Sequence, residues 1–345
     1  MTAPVMVGAA DMSGARRMTR VIDVLGEMFA DLAAGRTRSP ARTVVDHGDR
    51  RVLLVSPAVW ERRGVGSVKV TTLTPDNPAR GLPLIHGIVA LTDLETGRIT
   101  ALLDGAELTA VRTGAVTALA TRRCTPGDTD SMAVIGAGVQ ARALIRATAA
   151  VRPIRTVRIH SRTRAGADRL ADWIRDTAPR PIRAVVCGSA RDAVADAPLV
   201  CTATSTSDGT PVVEADWVAP GAHVNVIGGT HPDAVELDPA LLAGAMTVVE
   251  DRAAALDGAG EVRAALAGGL IGTGDLHELG RLVSGEDGAE DGAEGRTSVL
   301  RTVGMAVEDT AAALALFELH RGAGQGAGEP PAVPPPGEGA IDGRV

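Results

Sequence analysis

The stretch that most constrains this chain is Ala133-Val-Ile-Gly-Ala-Gly-Val-Gln-Ala141, an apolar run that ends in Gly-x-Gly-x-x-Ala and opens a helical pattern. Gly136 permits the tight turn out of a strand, Gly138 leaves the backbone bare for a pyrophosphate, and Ala141 lets helix and sheet close together. The helix that starts near Val139 and Gln140 aims its unpaired N–H groups at the phosphates. A glycine motif alone is weak, but Ser131–Ile135 supplies the strand, Gln140 to Ala150 the helix, and Thr156–Ile159 a second strand at βαβ spacing. Further strands are expected at Ile182–Val186, Leu199–Ala203, His223–Ile227 and Thr247–Val249. The alternation predicts an α/β fold with a Rossmann doubly wound parallel sheet.

The end of the second strand selects among dinucleotides. An NAD-type site places an acid there for the ribose hydroxyls, whereas Arg158-Ile-His-Ser-Arg-Thr-Arg164 has none. Ser161, Arg162 and Thr163, with Arg164 nearby, suit a 2′-phosphate. NADPH/NADP is therefore the expected cofactor, with NAD possible.

The rest of the chain has a different grammar. Apolar residues at helical spacing run from Met18 to Ala34, and Gly35 stops them. Four β-rich runs follow, Arg51–Val55, Val68–Leu73, Leu84–Leu91 and Ile99–Leu103, separated by turn clusters such as Pro75-Asp-Asn-Pro78. Their short spacing predicts a largely antiparallel sheet, and Glu107–Arg122 a helix. Asp287–Gly295 reads as a solvated acidic linker, Thr297–Leu319 as helical, and the Gly- and Pro-rich tail from Arg321 as disordered. With 345 residues, two domains plus tails are expected. Three Trp, two Phe and no Tyr leave the core to aliphatic side chains, and a net charge of −7 without a basic stripe argues against nucleic acid. Cys124, Cys187 and Cys201 have no zinc or disulfide spacing, so no metal is expected. The chain shows no apolar run long enough to span a bilayer, and a soluble cytoplasmic protein is expected.

Several blocks, in order from about residue 18 to 320, together resemble one family. They are Lys69 with Pro75-Asp-Asn-Pro78 and Gly81-Leu-Pro83; Leu103-Asp-Gly105 with Leu108-Thr-Ala-Val-Arg-Thr-Gly-Ala115; the glycine turn; Cys201-Thr-Ala-Thr204; Pro220–Gly228; and Val303-Gly-Met-Ala-Val-Glu-Asp309. The chain is similar to the ornithine cyclodeaminase/mu-crystallin family. The resemblance implies a discontinuous α+β substrate-binding and dimerisation domain over residues 1–120, completed by about 300–320, around a dinucleotide domain over 121–299. It implies a homodimer and a small amino or imino acid held by Arg42, Lys69 and Arg112, a sensible set because guanidinium forks match a planar carboxylate. Thr113, Thr202, Ala203, Thr204 and Gly228 are assigned by it to the cofactor.

Two departures from the family pattern bear on the chemistry. Thr230, in Gly228-Gly-Thr-His-Pro232, occupies the slot where cyclodeaminases carry Asp, and Arg301-Thr302 stands where Lys-Ser is usual. The first favours the ketimine-reductase members. Lys69, Thr230 and His86 are the catalytic candidates, with His231 a weaker one; for His86, a satisfied core imidazole is an equal alternative. The expected activity is hydride transfer between NAD(P)H and the α-carbon of a small imino acid. The alternatives are a cyclodeaminase that regenerates its cofactor each turnover, and a non-catalytic protein that binds NADPH and a small ligand.

Overall fold

The structure, a computed structural model, describes residues 3–206, 209–229, 233–285 and 295–325. Strand-forming runs before Asp104 zip into one sheet, and those from Ser131 to Arg301 into another. The first contains β1 (Val5–Val7), β2 (Thr37–Arg38), β3 (Thr43–Asp46), β4 (Val52–Trp60), β5 (Val65–Leu73), β6 (Ile85–Asp93) and β7 (Ile99–Asp104). Its order is β1-β7-β6-β5-β4-β2, with β3 also on β4; β1 joins β7 in parallel and the other pairs are antiparallel. Sequence reading missed β1, β2 and β3, which are too short to show alternation.

Alternation along the longer strands sends every second residue to one face. Ala58, Trp60, Val89, Leu91, Ala101 and Leu103 are buried on the inner face. Helix α1 (Ala15–Ala33) adds Val21, Leu25, Met28 and Phe29 to this core, and α2 (Gly105–Cys124) packs on the strands through Leu108, Val116 and Leu119. The opposite face is also apolar, and no helix among the described residues covers it: Met6, Val45 and Ile88 are exposed, and Leu53, Val55, Val68 and Val70 are half-buried beside them.

The second sheet holds β8 (Ser131–Ile135), β9 (Thr156–His160), β10 (Arg183–Val186), β11 (Leu199–Thr202), β12 (His223–Val226), β13 (Met246–Val249), β14 (Leu276–Glu278) and β15 (Ser298–Arg301). All its pairs are parallel, in the order β10-β9-β8-β11-β12-β15-β13-β14. Helices α3 (Val139–Val151), α4 (Arg164–Thr177), α5 (Ala190–Val194), α6 (Arg252–Gly258), α7 (Gly260–Ala267) and α8 (Leu279–Ser284) accompany it. Two short strands correct the sequence reading. Leu276–Glu278 was not anticipated, and Ser298–Arg301, expected to be helical, is a strand; helix α9 (Ala306–Gln325) begins only at Ala306. All four residues of β15 are buried between β12 and β13, so no polar alternation marks it as β. Helix α9 runs past Arg321, where the tail was expected, and most of the expected linker and tail lie outside the described residues.

Close contacts join the sheets. Gly114 of α2 packs so close to α3 that a Cβ there would lie 2.7 Å from the Ala143 carbonyl oxygen. Buried Asn225 of β12 donates to the Thr121 hydroxyl of α2 (3.0 Å) and faces His223 (3.2 Å), which also meets Ser298 (2.9 Å). Helix α9, leaving the second sheet from β15, returns to cover β4 and β5 of the first. Among the described residues, no helix is long and apolar enough to cross a membrane, and no cluster of three or more His, Cys, Asp or Glu could hold a metal ion.

Candidate active site

The carboxyl ends of β8, β9, β11, β12, β13 and β15 line one edge of the parallel sheet, the edge where open α/β sheets bind ligands. At β8, Gly136 has φ +113°, and a Cβ there would overlap the Ala203 carbonyl oxygen, so only glycine fits. Gly138 has nothing within 4 Å of where its Cβ would be, and no side chain caps α3 behind it. No side chain among the described residues caps the first N–H groups of α3, Val139 is 64% exposed, and the buried Gln140 Oε1 has no hydrogen-bond partner. Open backbone and unpaired donors at the helix start fit a dinucleotide pyrophosphate.

Ser161, Arg162 and Thr163 follow β9 beside this turn. A Cβ on Gly166 would lie 2.9 Å from Thr163 Oγ1, 3.4 Å from Ser161 Oγ and 3.8 Å from Ala137 Cβ, which brings both hydroxyls next to the glycine turn. Arg162 is exposed and has no hydrogen bond or ion pair among the described residues. Thr163 also caps α4, accepting from Gly166 N (3.3 Å), and Arg164 pairs with Asp168 (3.0 Å).

At β11 and β12 a residue that sequence reading missed organises the edge. The buried Glu236 carboxylate accepts from the Thr202 hydroxyl (2.8 Å), Thr204 N (2.6 Å), the Thr204 hydroxyl (2.5 Å) and Gly228 N (2.6 Å). Burial pushes this carboxyl above its ordinary range, and the Thr204 and Thr202 bonds pull it back in part. Thr202 is wholly buried with its hydroxyl spent on Glu236, so it braces the edge rather than offering a side chain to a ligand. Ala203, Thr204 and Gly228 remain at the edge as half-buried backbone. The signal for Glu236 was an acid in the apolar run Ala234-Val-Glu-Leu237. Thr230 and His231 lie outside the described residues.

The cationic cluster sits where α9 starts. Lys69 Nζ of β5 lies 2.7 Å from Asp309 Oδ2 and donates at 3.4 Å to the Thr109 hydroxyl. Arg112 of α2 donates to Glu308 Oε2 (2.9 Å) and approaches Asp309 Oδ1 at 3.4 Å. Burial lowers the Lys69 ammonium pKa, opposed by Asp309 and reinforced by Arg112. For Arg112 burial acts the same way but is outweighed by Glu308, Asp309 and Glu250, so its pKa rises. Arg112 Nε keeps no hydrogen bond although it is buried. Thr113 is buried in the α2 interface beside Arg112.

Of the remaining candidates, Arg42 lies one residue before β3 and is exposed without a hydrogen bond or ion pair among the described residues. Continuing the β3–β4 register sets it opposite Ser56, which pairs with Lys69, so it shares the Lys69 face about 10 Å away, two strand spacings. His86 is not brought to this cluster. It pairs with Thr72, one residue out of phase with the Lys69–Val89 pair, and is exposed on the opposite face with Ile88.

A chain of contacts joins the two halves of the site. Buried Arg301 donates to Glu261 (2.7 Å) and to the Gly229 carbonyl (2.5 Å), a fork that lysine could not copy. The adjacent Thr302 hydroxyl donates to Glu250 at the end of β13, and Glu250 accepts Val303 N (2.8 Å) and Gly304 N (2.9 Å). A Cβ on Gly304 would lie 2.7 Å from the Arg112 guanidinium nitrogens. The cofactor edge and the cationic cluster are thus neighbours.

The model of the ornithine cyclodeaminase/mu-crystallin family matches residues 2–323. A delta(1)-pyrroline-2-carboxylate reductase of Bacillus cereus is 34% identical over 313 residues, 89% of this chain and 94% of that protein. The ketimine reductase mu-crystallin of Mus musculus is 34% identical over 285 residues, 82% of this chain and 86% of that protein. The structure of Thermococcus litoralis delta(1)-pyrroline-2-carboxylate reductase, in complex with NADH and L-proline, superposes with a TM-score of 0.83 at 28% identity, covering 92% of this chain and 98% of that one.

Proposed function

The chain belongs to the ornithine cyclodeaminase/mu-crystallin family, and from that premise we propose that it is an NAD(P)H-dependent oxidoreductase that reduces the C=N bond of a small cyclic imino acid. The observation that carries this reading is the adjacency of the Gly136–Gly138 dinucleotide turn edge and the Lys69–Arg112 cluster, joined through Arg301, Thr302 and Glu250. Relatives that reduce pyrroline-2-carboxylate and ketimines support the substrate class. When bound, the dinucleotide supplies hydride at its nicotinamide ring.

In this reading Arg112 and Lys69, with Arg42 on the same face, take the substrate carboxylate and so fix the α-carbon at the cofactor edge. Lys69, whose ammonium is destabilised by burial, also keeps the imine nitrogen protonated. The 2′-phosphate of NADPH is favoured by Arg162, which is exposed and has no hydrogen bond or ion pair among the described residues, and by the absence of an acid at the end of β9. Residues 1–120 with about 300–320 form the substrate half and 121–299 the cofactor half. The uncovered apolar face carrying Met6, Val45 and Ile88 suits a second copy of the chain, and three unpaired thiols suit a reducing cytoplasm.

Absorbance of the reduced cofactor tests the reading. Pyrroline-2-carboxylate or its six-membered homologue should consume NADPH, and ornithine should release no ammonia. Proline made from ornithine with only catalytic NAD(P)+ would refute it in favour of cyclodeamination.

A further inference from the structure

Arg142 and Arg146 stand one turn apart on α3, so two like charges share one helix face. Arg20, Arg63, Arg122 and Arg301 each pair with an acid. The side chains of Arg142 and Arg146 make no hydrogen bond or ion pair among the described residues, and Arg142 Nε is buried without a partner. Both guanidiniums instead lie over the Trp173 ring of α4, with their central carbons 5.6 and 4.8 Å from its centroid. The indole face offsets part of the repulsion and leaves the N–H groups at the guanidinium edges unspent.

These side chains line a cavity of about 900 Å³, walled by the turn Ala9–Met12, the start of α1, one side each of α2 and α3, and the end of α4. That volume is in the range of small-molecule sites, roughly 300–1,000 Å³. Met12, Met18, Ile145 and Ile174 give it an apolar lining, and unbranched methionine side chains adapt to what they meet. Arg180 adds a third cation, donating to the Ala149 carbonyl (3.2 Å). Glu107 of α2, half-buried, is the acid among the lining residues and forms no ion pair with these arginines. Charge and polarity therefore complement a ligand with an apolar body and an anionic head.

We propose that this cavity is a second ligand site, separate from the cofactor edge, and that it takes an amphipathic carboxylate. The carboxylate bridges Arg142 and Arg146, giving the buried Nε and the free guanidinium edges the acceptor they lack and relieving the like-charge pair. The apolar chain lies against the methionines and isoleucines. This site goes beyond the reductase activity and does not depend on it. Val139 lines the cavity and also follows Gly138 of the dinucleotide turn, so occupancy by the cofactor itself is the competing outcome that the experiment must separate.

The probe is decanoate, kept below its micellar concentration, with decanol as its uncharged counterpart. Each is titrated calorimetrically into the full chain with and without saturating NADPH. Wild type should bind decanoate at one site, at least about tenfold more tightly than decanol, the scale of hydrogen bonds to charged groups. NADPH should leave that affinity within about twofold, since the charged head sits on α3 side chains rather than at the turn. The double variant Arg142→Gln with Arg146→Gln should lose the preference for the carboxylate while decanol binding stays as in wild type. Arg146 is exposed, so Arg146→Glu should keep the wild-type melting temperature and lose decanoate binding by the charge it reverses. No saturable decanoate binding, equal affinity for decanoate and decanol, or wild-type decanoate affinity in Arg146→Glu would each overturn the proposal. Displacement of decanoate by NADPH would overturn it as well, placing the ligand in the cofactor site.

Discussion

The two halves of the site prepare for an anion in opposite ways. At the dinucleotide edge the protein leaves donors unspent: α3 has no side-chain cap, Gly138 is bare, and Arg162 has no partner among the described residues. In the cationic cluster every charge is already engaged from within, Lys69 by Asp309 and Arg112 by Glu308 and Asp309. An anion at the first place fills vacant hydrogen-bonding capacity. One at the second must share cations with internal carboxylates, so its affinity depends on the exact placement of groups it never touches. The difference teaches why a cofactor site can be robust where the substrate site beside it is sensitive.

The glycine turn offers the sharpest way to break the comparison. Gly136→Val should abolish dinucleotide binding and much of the folded yield, because positive φ and overlap with Ala203 act together, each costing on the order of 1–3 kcal/mol or more. Gly138→Val, with open space around it, should keep the wild-type melting temperature and still lose dinucleotide binding in titration calorimetry. Retained binding would remove Gly138 from the site.

Arg112→Ala probes the other half. Steady-state kinetics should show kcat/KM down by about 2–4 kcal/mol in transition-state terms, carried by a charge-assisted pair, with cofactor affinity barely changed. Thermal stability should fall as well, because Glu308 and Asp309 lose their partner. A loss below threefold in kcat/KM would exclude Arg112 from substrate binding.

The brace between the sheets should show in the pH dependence of stability. Burial pulls His223 down from 6.5 to about 4, so the fold keeps it neutral while the unfolded chain protonates it first. Its contribution is complete above the unfolded value and is lost as pH falls from 6.5 to about 4. Denaturant melts of wild type against His223→Asn should register that loss as up to about 3 kcal/mol. A pH-independent difference would mean His223 titrates in the fold as it does in the unfolded chain. The smallest effect is expected at Arg162→Asp, which should lower the NADPH-to-NADH preference by about 1.5–3 kcal/mol, the scale of a hydrogen bond to a charged group. An unchanged preference would detach Arg162 from the 2′-phosphate.

The two halves also differed in how readable they were. The dinucleotide turn is local: strand, Gly136, Gly138 and helix lie within about twenty residues, and backbone geometry dictates the residue types. The cationic cluster depends on α9 returning from β15, so the Lys69–Asp309 pair spans most of the chain, and composition near Lys69 says nothing of Asp309. Resemblance identified Lys69 and Arg112 without their internal partners. Glu236 and Glu250 each sit beside apolar residues, but a single acid there does not say which distant backbone it will accept from. Short strands such as Ser298–Arg301 escaped because burial on both faces erases alternation. His86 was misjudged because strand parity was settled only by the pairing of β5 with β6.

The adjacency of cofactor edge and cationic cluster is tested most directly by isotope transfer. The reaction is run with pyrroline-2-carboxylate and reduced cofactor deuterated at nicotinamide C4 on the transferred face. Proline should then carry one deuterium at its α-carbon, seen by NMR, with one cofactor oxidised per proline formed. Proline without α-deuterium, or cofactor left unoxidised as product accumulates, would contradict direct hydride delivery to a carboxylate-anchored imine.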